Sequence, residues 1–117
     1  ANGYTTAWTA MGDGLVDWNQ YFAYYRKICP EAPVCIETIS GFNHELKVKQ
    51  DGFWKAWPKS KPKGYDKFEA FAKRGKPIGT FKPAAGVDRK KAQQQFQKGD
   101  IERSIQFCRK LGLGQDR

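Results

Sequence analysis

Met11-Gly12-Asp13-Gly14-Leu15-Val16-Asp17-Trp18, followed after an aromatic run by Pro33-Val34-Cys35-Ile36-Glu37, is the stretch on which the fold turns. Between the two, Trp18, Tyr21, Phe22, Tyr25, Ile28 and Cys29 recur at spacings of three and four. That spacing places them on one face of a helix over residues 16–29, with Asn19, Gln20, Arg26 and Lys27 facing away. Asp17 is positioned as the N-cap, Gln20 can reach back to it, and Pro30 stops the helix. Residues 33–39 then read as a β-strand, with Val34, Ile36 and Thr38 on one face and Cys35, Glu37 and Ile39 on the other. A strand apolar on both sides belongs inside a parallel sheet covered by helices, and no flanking strand is evident in this sequence. A lone strand cannot satisfy its own N–H and C=O groups. The expectation is therefore a segment of a longer polypeptide, or a chain whose sheet another chain completes.

Outward from this stretch the pattern loosens. Residues 1–15 hold Gly3, Gly12 and Gly14 among small polar and aromatic residues and read as a loop, with a short extended piece near Tyr4 to Thr9. Residues 40–87 read as a basic insertion. It has a helical turn at Phe53 to Trp57 and a short helix near 65–74, marked by Tyr65, Phe68, Phe71 and Ala72 and closed by Gly75. The last helix is expected over 88–112. Gly99 is expected to kink or divide it, with Asp100 able to cap a fresh start in which Ile101, Ile105, Cys108 and Leu111 form a stripe, and Gly112-Leu113 fits a Schellman stop.

Composition bounds the function. The 117 residues make one domain or part of one, and the apolar weight lies in eight Phe, five Tyr and four Trp. The formal charge of +9 is concentrated after residue 46. Such an excess suits phosphate groups, or is a solvated face whose acidic counterpart lies elsewhere; the second reading is preferred. No stretch approaches the roughly 20 apolar residues that span a bilayer, so a soluble chain with no membrane partner is expected; the cytoplasm is the favoured location, left open because Ala1 is not the true N-terminus. Cys29, Cys35 and Cys108 form no C-x-x-C pair and lie at no zinc-ligand spacing from His44, which leaves them as free thiols.

Glu37 is the candidate catalytic residue. It falls near the C-terminal end of the strand, where open α/β sheets and barrels place their sites, and a carboxylate held among apolar neighbours there needs a metal, a cation or hydrogen bonds. The bare pattern allows equally a Glu that simply reaches solvent.

Gly12-Asp13-Gly14-x-Val16-Asp17-Trp18, an amphipathic helix and a strand ending in Ile36-Glu37 together resemble the final third of the sugar phosphate isomerase/epimerase family. These are the xylose-isomerase-like barrels that also include the family 2 apurinic endonucleases. Ser40-Gly41-Phe42 and Phe53-Trp54 resemble a subgroup with a long insertion after the eighth strand, and Asp100-Ile101-Glu102-Arg103-Ser104 resembles its closing helix. The resemblance implies an α/β fold class, the C-terminal segment of a (β/α)8 TIM barrel comprising the seventh helix, eighth strand, insertion and closing helix. Viewed alone, that segment would be mostly helical and irregular. It also implies that Glu37 is the last ligand of a divalent metal (Mn, Mg, Co or Zn) and moves a proton. Trp8 and Met11 would wall the sugar. His44, on a polar loop, is read first as solvated and second as a substrate contact.

The implied parent is a metal-dependent isomerase or epimerase that acts on a small sugar or sugar phosphate by proton transfer through an enediolate. The remaining ligands would precede Ala1, so the metal site is incomplete here and this chain alone is expected to be inactive. The competing readings are a lyase or hydrolase on oxidised sugars, an abasic-site nuclease, and a basic aromatic nucleic-acid-binding module. In the last, Lys47 to Lys63 and Arg89 to Lys91 would meet phosphates while Phe53, Trp54, Trp57 and Tyr65 stack on bases. No RNP1, GXXG or helix-turn-helix pattern is present, so nucleic acid is the disfavoured partner.

Overall fold

The computed structural model describes residues 2–57, 59, 61–79 and 81–114. In chain order the elements are β1 (Tyr4–Ala7), α1 (Trp18–Ile28), β2 (Asn43–Leu46), a 3-10 turn (Asp51–Ala56), α2 (Tyr65–Ala72) and α3 (Arg89–Lys110). They belong to two compact units. The first comprises residues 1–7 and 42–80, and the second comprises residues 8–41 and 81–117. The N-terminal strand pairs with the start of the insertion, which places residues 1–7 in the first unit. No helix among the described residues is long and apolar enough to cross a membrane.

In the first unit β1 and β2 pair antiparallel in the register Tyr4↔Leu46, Thr5↔Glu45, Thr6↔His44 and Ala7↔Asn43. The Lys49 N–H extends the pairing by donating to the Asn2 carbonyl at 3.0 Å. A two-stranded ribbon is marginal alone and needs an apolar cover. Aromatic side chains supply one. Tyr4 meets the edge of Phe68 at 5.9 Å and donates its hydroxyl to Glu69 at 3.3 Å. The indole N–H of Trp54 donates to the Val48 carbonyl at 2.7 Å, and Val48 is buried.

The second unit is built on α1 and α3. The Asp17 carboxylate caps α1 by accepting from the Gln20 N–H at 3.0 Å, and the Cys29 N–H closes its last turn on the Tyr25 carbonyl at 2.7 Å. Of the aromatic face, Phe22 is buried and Trp18 and Tyr25 are half-buried, whereas Tyr21 and Ile28 are exposed. Arg26, in the last turn of α1, donates to the Leu111 carbonyl at 2.7 Å. Asp88 caps α3 through the Lys91 N–H.

Helix α3 runs unbroken through Gly99, against the expected division there. Asp100 does not cap a new start: its carboxylate accepts from Arg103 one turn on, which leaves its backbone in the helical ladder. The buried stripe is Asp100, Ser104 and Cys108, and Ile105 points to solvent. At the C-terminus Leu113 N–H reaches the Cys108 carbonyl and Gly112 N–H the Arg109 carbonyl, both at 3.0 Å, with Gly112 at φ 72°. These two bonds define a Schellman motif.

Residues 33–39, read as a strand from the sequence, lie in no strand. Among the described residues no backbone–backbone hydrogen bond is made by residues 34–41. The two strands among the described residues, β1 and β2, pair with each other and not with this segment.

Candidate functional site

Glu37 sits exposed on this unpaired segment, in no ion pair or side-chain hydrogen bond among the described residues. Val34 and Ile39 beside it are 42% and 47% exposed. Ser40, three residues on, is buried with its hydroxyl lacking any hydrogen-bond partner. Trp8 and Met11 share the second unit with Glu37, and no hydrogen bond joins either to it. His44 lies in the first unit, exposed on β2 opposite Thr6.

The loop that carries Met11 is nonetheless fixed. Its N–H donates to Ser104 Oγ at 2.9 Å, and the same hydroxyl donates to the Asp100 carbonyl at 2.8 Å. Ser104 is 1% exposed, so one buried hydroxyl joins loop and helix. Arg103 Nε donates to Asp13 at 3.1 Å while its Nη2 donates to Asp100, which makes the guanidinium a bridge between two carboxylates. Cys108 Sγ lies 3.3 Å from Met11 Sδ, and burial raises the thiol above the usual cysteine range. Sequence reasoning missed this clamp. Asp13 and Arg103 are far apart in sequence, and the only local signal was the i, i+3 pair Asp100 and Arg103.

Among the described residues no group of three or more His, Cys, Asp or Glu side chains gathers as a metal-ligand set. A divalent ion needs several such ligands at about 2.0–2.6 Å, and Glu37 offers one.

A second constellation is assembled. In the first unit, Phe53, Trp54, Trp57, Tyr65 and Phe68 line a cavity of about 220 Å³ floored by Leu46 and Val48. Trp54 meets Tyr65 edge-on at 4.9 Å, and Phe53 stacks on Trp57 at 6.0 Å. Lys61 Nζ lies 5.1 Å from the Trp54 ring centroid and 4.7 Å from that of Tyr65. Desolvation lifts the Tyr65 hydroxyl above the usual tyrosine range, with the Glu69 carboxylate adding to it, and Tyr4 shifts the same way for the same causes.

No family model, no curated protein and no solved structure matches this chain.

Proposed function

We propose that this chain is the closing helix–strand portion of a divalent-metal-dependent sugar or sugar-phosphate isomerase or epimerase barrel, with Glu37 as its contribution to the site. The single observation that supports the reading is the state of residues 34–41. Their backbone makes no backbone–backbone hydrogen bond among the described residues, Ser40 Oγ is buried without a partner, and Val34 and Ile39 face solvent. Apolar side chains alternating with a carboxylate on an unpaired backbone are what a parallel strand shows when its neighbours are supplied by other sequence. In the assembled barrel the segment would pair on both edges and Glu37 would stand at the strand's C-terminal end, where its carboxylate could take and return a proton beside a sugar carbonyl.

The test is made on a polypeptide that joins this chain to the sequence encoded before it. That protein is expected to bind Mn²⁺ or Co²⁺ and to interconvert aldose and ketose or epimeric sugars. Glu37→Gln should weaken metal binding by at least about tenfold, since even groups behind the ligands contribute 10–100-fold. Unchanged metal affinity and turnover in Glu37→Gln would refute the assignment. Cleavage products from oxidised sugars or abasic DNA would instead identify the lyase, hydrolase or nuclease chemistry of the same barrel.

A further inference from the structure

We infer that the aromatic cavity of the first unit is a binding site for a nucleobase carrying phosphate, as a free nucleotide or within a single strand. The inference is independent of the barrel reading, because every residue it uses lies in residues 42–80 and none belongs to the Glu37 segment.

Three ligand classes suit an aromatic cavity, and the surroundings choose among them. A sugar ring needs polar partners for its hydroxyls. The lining here is almost wholly apolar, and Trp54 already spends its N–H on the Val48 carbonyl. An organic cation is attracted to ring faces. Here Lys61 already lies over Trp54 and Tyr65, and residues 42–80 carry ten Lys and Arg against four Asp and Glu, a formal +6 that repels a second cation. A planar ring bearing negative charge meets neither objection. About 220 Å³ is below the 300 Å³ and upward of drug-sized sites and suits one ring system.

The cations are interleaved with the cavity residues. Lys47 and Lys49 flank Val48, Lys55 falls between Trp54 and Trp57, and Lys63 follows Pro62, all four being exposed. Base stacking with flanking Lys contacts to phosphate is the usual physics of sequence-tolerant single-strand binding. Trp57, 43% exposed, offers the accessible ring face. Lys61, on a flexible stem, can exchange its place over the rings for a phosphate oxygen as the base enters.

The experiment titrates the full chain with fluorescein-labelled oligothymidylate and with uridine monophosphate, following anisotropy and tryptophan quenching. Saturable binding with quenching is expected, and affinity should fall as salt rises, with a slope of about −0.7 per phosphate contacted. Trp57→Ala should weaken it by about five- to hundredfold. Trp57→Phe, which keeps a π-face, should retain most of the affinity, and Tyr24→Ala in the second unit should leave it unchanged. Far-UV circular dichroism of each variant identifies any loss that comes from misfolding. Binding of the monophosphate as tight as that of the strand assigns a nucleotide site, and binding of the strand alone assigns a single-strand site. No quenching, or strand binding that is equally strong in folded Trp57→Ala, would overturn the inference and leave only non-specific charge attraction.

Discussion

Gly12→Ala tests whether the loop carrying Met11 is held on α3 as described. Gly12 has φ 96°, in the left-handed region, and a Cβ there would fall inside contact distance of the Phe107 ring, within 2.7 Å of its Cγ and Cε2. The backbone conformation costs an alanine about 1–2 kcal/mol. Forcing the ring aside costs about 1–3 kcal/mol, and the stiffer unfolded chain returns about 0.4–1 kcal/mol. The net expectation is a loss of about 2–4 kcal/mol, measured by urea unfolding followed by far-UV circular dichroism, to which α1 and α3 contribute most of the signal. The two costs separate in a cycle with Phe107→Ala: removing the ring abolishes the steric part, so Gly12→Ala in that background should cost only about 1 kcal/mol. A Gly12→Ala variant within about 0.5 kcal/mol of the parent, or a penalty unchanged when Phe107 is absent, would refute the placement of this loop.

Ser104→Ala leaves the Met11 N–H without its acceptor while the helix keeps its own ladder, and should cost about 1–3 kcal/mol in the same assay. Burial holds the Cys108 thiol neutral beyond the pH at which an unfolded cysteine ionises. Stability should therefore fall as pH rises through the alkaline range, with the slope reduced in Cys108→Ala to the part that Tyr4 and Tyr65 contribute, and Cys35 should be alkylated well before Cys108. Hydrogen exchange monitored by mass spectrometry should show the amides of 34–41 exchanging almost without protection and those of 100–108 among the slowest; protection of 34–41 in this chain would contradict the unpaired segment.

Local signals were legible where one turn of chain decided the outcome. Asp17 and Asp88 cap helices because a short acceptor meets an N–H three residues on, and Gly112-Leu113 closes α3 because a left-handed residue is needed there. What was not legible depended on pairing at a distance. β2 carries Asn43-His44-Glu45-Leu46, which has no strand periodicity of its own and exists because Tyr4 to Ala7 lie alongside. Gly99 reads as a helix breaker, yet α3 passes through it as one helix. The Phe53, Trp54, Trp57 and Tyr65 set was visible as composition; that it lines one open depression was not, because the ring contacts span the 3-10 turn and α2.

The two units answer different questions about completeness. In the first, β1 and β2 pair with each other and the aromatic depression is assembled from residues of that unit alone. Its chemistry can be tested on this chain. In the second, α3 buries Asp100, Ser104 and Cys108 under the Met11 loop, but Tyr24 on α1 is 64% exposed and Val34 and Ile39 stand open beside Glu37. Leaving such side chains in water forgoes roughly 1.5–3 kcal/mol each, and every unpaired backbone group on 34–41 forgoes a further net bond of about 1 kcal/mol. A partner that supplied strands on either edge would recover both terms together.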